Sequence, residues 1–422
     1  MMNLIIILVI VATAIFTYNI LMINKKRLKK FRKEWATGKF DARSEDDESV
    51  SMYWENKKNS EPRYDGIDQL TWDDLAMNTV FKKINYTQTS VGAEYLFNQL
   101  RDIDPSLKNI QDKERLYILL ESNSALREEI LRILSGLGKQ DYTNSSSFFY
   151  ENQNNIKYVA IYVLLALIPF ASIILMFFSL KYGIFSLVGS FLINLFVYYK
   201  NKPELENNLY STSYIAAIIN TGKRFASVKN PDFTTFADKF KVKVQSIKKV
   251  LVLSNIASIG RGNGDLDIIF EYIRILFLLD FITYNNIIKT ISKHKEEYRD
   301  LWQLIGQLDA GVAVAFYRKS LDTYCIPTFV EKEELSFKNM FHPLINEPVK
   351  NTSNLDKSTL ITGSNASGKS TYIKAIAINT ILAQTINTVL AEIWTMKPSY
   401  IVTSMAIQDN VLDGDSYFIA ER

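Results

Sequence analysis

Cysteine is almost absent from this chain: Cys325 is the only one in 422 residues. No intrachain disulfide can form, and the bulk of the chain is expected in a reducing compartment. Histidine is nearly as scarce, with only His294 and His342, which excludes a His/Cys metal centre. An excess of one charge is missing too. The 49 basic and 45 acidic residues leave a net charge of +4, too slight by itself to argue for a nucleic-acid partner. No internal repeat or low-complexity tract is present. Apolar sequence is plentiful, at 47% of residues, and it is unevenly spread: three segments are almost purely apolar.

The first, Leu4–Ile23, has no charge and is long enough to span a bilayer, at roughly 20 residues. It lacks a basic stretch before its apolar core, so a cleaved signal peptide is the lesser alternative. The basic cluster Lys25–Lys33 follows it, which predicts the N-terminus outside and the following chain in the cytoplasm. Tyr158–Leu180 and Gly183–Tyr199, split by Lys181 and Tyr182, form a second apolar block. They read as a transmembrane hairpin whose flanks, marked by Lys157, Lys200 and Lys202, both stay inside. A pair of buried core helices is the alternative. Ile268–Ile288 differs: it carries Glu271, Arg274 and Asp280, each costly at a bilayer centre. It reads as a long amphipathic helix packed on protein.

Between these segments the pattern is helical. Residues 34–64 are polar and charge-mixed and read as a juxtamembrane linker. Apolar periodicity predicts helices at Trp72–Asn85, Ser90–Arg101, Leu107–Ser122 and Ala125–Leu137, then Leu205–Ser227, Phe233–Ile259 and a run from Leu266 to Lys319. Phe329–Leu344 shortens into strand-like pieces. The resulting plan is an N-terminal anchor (1–24), the linker (25–64), a helical region (65–156), the hairpin (157–200), a second helical region (201–325) and a C-terminal α/β domain (326–422).

That last domain holds Gly363-Ser-Asn-Ala-Ser-Gly-Lys-Ser370, a G-x-x-x-x-G-K-[ST] phosphate loop. Thr359–Thr362 before it reads as a short buried strand, and Thr371–Ala383 after it as a helix. Glycines let backbone N–H groups turn towards phosphates, and the helix N-terminus adds partial positive charge. On this reading Gly363, Ser364, Asn365, Ala366, Ser367, Gly368, Lys369, Ser370 and Thr371 cradle ATP. Lys369 reaches the outer phosphates, and the Ser370 hydroxyl holds Mg²⁺. A chance Gly/Ser-rich surface turn is the alternative.

Several separated motifs make the chain resemble the MutS mismatch-repair ATPases. Thr359–Tyr372 is similar to the family's I-T-G-P-N-x-x-G-K-S-T-Y. Phe341-His-Pro-Leu344, Leu308-Asp-Ala310, Asn85–Arg101 and Gly414–Glu421 resemble further family elements in the family's order. The resemblance covers most of 67–422 and omits both membrane elements. It implies a MutS-like α-helical lever/core domain followed by a partial α/β P-loop ATPase domain; with the transmembrane helices read from the apolar runs, the expected fold is an α-helical core with transmembrane helices and a partial P-loop domain. It also implies a homodimer in which Ser416, otherwise a turn or helix-cap residue, lies near the partner's nucleotide, and a contact of Asn365, otherwise a turn residue, to nucleotide; His342 reads as a structural residue ahead of an acid/base group.

Departures limit what carries over. Ser364 and Ala366 replace the family's Pro and Met, and no mismatch-reading domain with its Phe-x-Glu wedge is present. No Asp-Glu pair at the end of an apolar strand (a Walker B element) follows Lys369. Leu276–Asp280 imitates one, but it precedes the loop and lacks a second acid, so it is rejected as catalytic. The expectation is therefore a fragment of a longer ATPase, with a truncated nucleotide-binding product as the alternative. Three functional readings stand: a dimeric membrane-anchored MutS-like ATPase of the cell membrane, multi-pass with its ATPase domain in the cytoplasm; a DNA-binding repair or recombination factor; or an ATP-binding membrane scaffold or switch without efficient hydrolysis. A transporter ATPase is disfavoured because no LSGGQ-like signature is present. DNA is a candidate partner through Lys239, Lys241, Lys243, Lys248 and Lys249, which otherwise form a solvated face.

Overall fold

The computed structural model describes residues 22, 25–40, 46–61, 66–151, 159–258, 265–364 and 367–405. The expected N-terminal span Leu4–Ile23 therefore lies outside the described residues apart from Met22. Residues 25–37 are helical. The helices that follow are α1 (Asp47–Ser60), α2 (Gln69–Asp74), α3 (Met77–Ile84), α4 (Ser90–Arg101), α5 (Ile110–Ser122), α6 (Ser124–Leu137), α7 (Ser147–Tyr150), α8 (Val159–Phe178) and α9 (Leu180–Phe225). Then come α10 (Thr234–Ile247), α11 (Lys249–Ser258), α12 (Asp265–Leu276), α13 (Leu279–Lys293) and α14 (Lys295–Ser320). Strands β1 (Thr328–Phe329), β2 (Leu335–Met340) and β3 (Asn351–Leu355) precede α15 (Lys369–Ile386) and β4 (Ile393–Met396). The fold is mostly helical with a small mixed sheet. Two compact units form: 1–51, 62–136 and 306–422 make one, and 52–61 with 137–305 make the other. The sequence-expected linker (25–64) thus contains two helical stretches, 25–37 and α1.

In the first unit, two sequence motifs lie 220 residues apart and meet in its core. Asp309, fully buried in α14, accepts hydrogen bonds from the Thr89 amide at 2.8 Å, the Thr89 hydroxyl at 2.6 Å and the Gln88 amide at 2.8 Å. Thr89 is also the N-cap of α4, accepting from the Gly92 amide at 2.9 Å. Gly92 is required by contact: a Cβ there would stand 2.1 Å from the Asp309 carboxylate. Further along α14, buried Arg318 forms a two-pronged pair with Glu114 at 2.7 and 3.0 Å and donates to the Thr388 hydroxyl at 2.8 Å. Buried charges of this kind persist only when fully partnered.

The sheet order is β1-β4-β2-β3, with β1 parallel to β4 and the other pairings antiparallel. Helix α15 lies on it. Ala375 and Ala383 pack with Phe337, Met340, Val389, Trp394 and Met396, while Tyr372 and Ile376 join at the margin. Asn379 stitches helix to loop: its amide donates to Phe341 O at 3.0 Å, and its oxygen accepts from the Leu390 amide at 2.8 Å.

The second unit holds the apolar hairpin. The sequence places its turn at Lys181-Tyr182; the structure breaks earlier, at Ser179, and both residues sit in the first turn of α9. The sequence also separates Gly183–Tyr199 from Leu205–Ser227, whereas α9 runs through both. Continuous i→i−4 bonding is cheaper than a new nucleation event once a helix is under way. Pro169 lies inside α8. It cannot donate to Leu165 O, and buried Asn194 of α9 supplies the missing donor at 3.3 Å. Ile268–Ile288 is not one helix. It breaks at Leu278, which is left-handed at φ 47°, into α12 and α13.

Candidate nucleotide site

The phosphate loop enters α15 through Gly368, whose φ of 86° puts it in the left-handed region where a side chain would be strained. Turning there aims the start of an 18-residue helix at the loop. No acidic side chain occupies the first turn to neutralise its exposed N–H groups. The Lys369 ammonium folds back over the loop and donates to Gly363 O at 2.7 Å and Ser364 O at 2.6 Å. Gly363 is tight for a side chain: a Cβ would meet the Ser367 hydroxyl at 2.9 Å.

The stretch before the loop corrects a sequence expectation. Thr359–Thr362 is not a strand, and Leu360 is 87% exposed. A strand needs a ladder neighbour for its N–H and C=O groups. Among the described residues the sheet pairs β1 to β4 with one another and not with this segment. Two other expected site residues, Asn365 and Ala366, lie outside the described residues, as does Ser416.

Between this loop, the first turns of α15 and the segment from His342 to Asn351 lies a pocket of about 570 Å³. That size is in the range of small-molecule and cofactor sites, roughly 300–1,000 Å³. Gly363, Ser367, Gly368, Lys369 and Thr371 line it. Glu347, Pro348, Val349 and Asn351 form a wall that the sequence reading missed. Glu347, Pro348 and Val349 sit in an irregular stretch after Phe341-His-Pro-Leu344 and Asn351 opens β3; no periodicity or motif marks them.

His342 lines the same pocket. Its Nδ1 accepts from the Leu344 amide at 3.1 Å. Burial lowers its pKa, and the nearby Lys374 and Lys83 lower it further. A neutral imidazole fixed as an acceptor fits the expected structural role. Lys374 and Lys83, which add to the effect of burial on His342, also make this flank favourable to an anion.

The residues present fit a phosphorylated ligand. Lys369 offers a cation and the α15 N-terminus offers amides, whereas the expected site residues Ser364 and Ser370 are exposed and do not line the pocket. Among the described residues no group of three His, Cys, Asp or Glu could hold a metal. A Mg²⁺ here would draw on Ser370, phosphate oxygens and water, as this ion commonly does.

The lysines read as a DNA stripe divide in the second unit. Lys239 and Lys241 on α10, Lys248 at its C-cap and Lys249 on α11 are exposed. Lys243 is half-buried and paired with Asp300 at 2.5 Å.

Comparison with known proteins agrees with the loop's location. Residues 359–422 match the family described as MutS domain V. The chain is 34% identical over 146 residues to human "DNA mismatch repair protein Msh3", covering 31% of this chain and 13% of that protein. It is 29% identical over 153 residues to "DNA mismatch repair protein MutS" of Lactobacillus delbrueckii subsp. bulgaricus, covering 34% and 18%. Against mouse "DNA mismatch repair protein Msh3" it is 37% identical over 140 residues, covering 30% and 13%. The chain thus spans less than a fifth of the length of these curated relatives.

Proposed function

We propose, for a chain that is a member of the MutS family through residues 359–422, that the pocket at the start of α15 binds ATP with Mg²⁺. Its relatives are DNA mismatch repair proteins, and the chain is related to that system. The observation that carries the proposal is the set of Gly368 in left-handed geometry, Lys369 folded over two loop carbonyls, and an unneutralised helix N-terminus facing one pocket. On nucleotide entry the Lys369 ammonium exchanges Gly363 O and Ser364 O for phosphate oxygens. A charge-assisted bond to phosphate is stronger than one to a neutral carbonyl, so the exchange is favourable.

Lys369→Ala should weaken binding of a fluorescent ATP analogue by about 100-fold, the effect of losing roughly 3 kcal/mol of charged hydrogen bonding. Unchanged affinity would remove the loop from the site.

The second part of the proposal is location. The hairpin α8–α9 is long and apolar enough to cross a membrane, and it presents Leu164, Phe177, Phe178 and Phe185 outward. The reading it supports is a multi-pass protein of the cell membrane with its nucleotide site in the cytoplasm. Whether bound ATP is hydrolysed separates the ATPase from the scaffold or switch. A single-turnover phosphate-release assay on the full-length protein decides between them. DNA contact through the four exposed lysines is tested by the salt dependence of duplex binding. Pairing into a homodimer is tested by sedimentation with and without nucleotide.

A further inference from the structure

The helical stretch 25–37 has seven basic residues and one acid, Glu34, and it docks on the first unit by one side. Phe31 is buried there. Trp35 meets Phe316 edge to face at 4.9 Å, and the Arg127 guanidinium stacks on its indole at 3.6 Å. Glu34, also buried, accepts from the Tyr86 hydroxyl and pairs with Lys30 at 3.5 Å. Two arginines engage α6. Arg32 makes a two-pronged pair with Glu128, both arms at 2.7 Å, and Arg27 donates to Ser135 O at 3.1 Å. Together these contacts fix the rotation of the helix about its own axis.

That rotation turns four lysines outward. At about 100° per residue, Lys25, Lys26, Lys29 and Lys33 share an arc of roughly 100° on the side opposite Phe31 and Glu34. All four are exposed, and among the described residues none of their ammonium groups is ion-paired. No acid interrupts this stripe, which runs about 12 Å along the helix. A solvated face ordinarily mixes both signs of charge. Here the acid and both arginines engage protein, and the uncompensated charge faces away from it.

The position of the stripe points to its partner. Lys25 lies two residues beyond Ile23, the end of the uncharged run 4–23. Two residues reach at most about 7 Å whatever their conformation, less than the Debye length of about 8 Å at physiological ionic strength. With that run in a bilayer, the start of the stripe is within weakly screened reach of the headgroups.

We propose that Lys25, Lys26, Lys29 and Lys33 bind the anionic headgroups of acidic phospholipids and so hold the first unit, which carries the phosphate loop, against the membrane surface. The inference rests on the reading of the chain as membrane-spanning, here through the run 4–23. An anionic leaflet favours each such lysine by a factor of about five in partitioning. The docked helix presents the four on one fixed face, so little backbone freedom is lost on contact.

The test uses the full chain with Cys325→Ser, reconstituted in vesicles of phosphatidylcholine alone or mixed with phosphatidylglycerol. A single cysteine carrying an environment-sensitive fluorophore is placed at Ala36, exposed on the same arc one turn past Lys33, or at Ala14, in the middle of the apolar run. The Ala36→Cys probe is read against a nitroxide on the lipid headgroup, and the Ala14→Cys probe against a nitroxide on the acyl chain. The expected result is that Ala36→Cys loses most of its emission in the phosphatidylglycerol vesicles and little in phosphatidylcholine. The difference should vanish in about 1 M salt, where the Debye length is about 3 Å. It should also vanish when Lys25, Lys26, Lys29 and Lys33 are all changed to Glu, and persist when Lys239, Lys241, Lys248 and Lys249 are changed instead. Equal quenching in both lipids, or equal loss with either set of changes, overturns the stripe, while a quenched Ala14→Cys leaves the membrane reading standing. An Ala14→Cys probe that no acyl nitroxide quenches removes the membrane reading and the proposal with it. If duplex DNA shields Ala36→Cys from aqueous iodide and phosphatidylglycerol has no effect, the partner is nucleic acid and the lipid assignment is overturned.

Discussion

The first unit and the apolar hairpin are built in opposite senses. In the first unit Trp72, Phe81, Leu308 and Trp394 are buried, and the buried charges Asp309 and Arg318 are each enclosed by several partners. In the hairpin the large apolar side chains point outward, with Phe177, Phe178 and Phe185 each more than 80% exposed. Much of what it buries is small or polar: Ala166, Ser172, Ser190 and Asn194, alongside Pro169 and Tyr198. Ser172 and Ser186 pair across the two helices at 2.7 Å. Water drives the first arrangement by expelling apolar surface. The second suits a solvent as apolar as leucine, where small residues and interhelical hydrogen bonds hold helices together.

The comparison can be broken most forcefully at Asp309. Asp309→Ala leaves the Thr89 and Gln88 donors without their acceptor in a buried site. The expected cost is on the order of 3–5 kcal/mol, read from the urea midpoint of tryptophan fluorescence. A loss below about 1 kcal/mol would mean that the contact does not hold the core.

Leu192→Arg tests the other side. Leu192 is 58% exposed near the middle of its apolar run. Facing lipid, the arginine should cost about 3 kcal/mol of insertion and shift protein from membrane to soluble or aggregated fractions. Facing water, it would leave fractionation unchanged or raise solubility, and the contrast between the two regions would collapse.

Asn194→Leu removes the donor to Leu165 O and Leu276 O. A loss of about 1–2 kcal/mol is expected, measured as a lower unfolding midpoint in vesicles or micelles. An unchanged midpoint would mean that the two helix irregularities need no cap.

The smallest effect concerns pH. His342 has a lowered pKa in the folded protein, through burial and then Lys374 and Lys83. Its stabilising contribution is present above the unfolded value of about 6.5 and is lost as pH falls from there through the lowered folded value. The thermal midpoint should drop between pH 7.5 and 5.5, and His342→Gln should drop less. An equal drop would assign the effect to other groups.

Much of this was legible in the sequence because it is local. The helix after the phosphate loop, α4 at Ser90–Arg101 and the two apolar segments follow from periodicity and composition that the chain carries over a few turns. The breaks at Ala76 and Leu278, both left-handed without glycine, gave no local signal, and a continuous apolar pattern ran through each. The strand expected at Thr359–Thr362 failed because β-structure depends on a partner elsewhere in the chain.

The sequence by itself determined the phosphate loop and the apolar composition of the hairpin, since each resides in contiguous residues, and the likeness to MutS, since each of its separated motifs is a short contiguous run. Only tertiary structure decided that Asp309 meets Thr89, that Glu347, Pro348, Val349 and Asn351 wall the pocket at the start of α15 and that Asn194 caps a carbonyl 82 residues away. Those pairings join segments whose separation no local pattern encodes. They form because a buried carboxylate or freed carbonyl must find a donor, and only the folded chain brings one within reach.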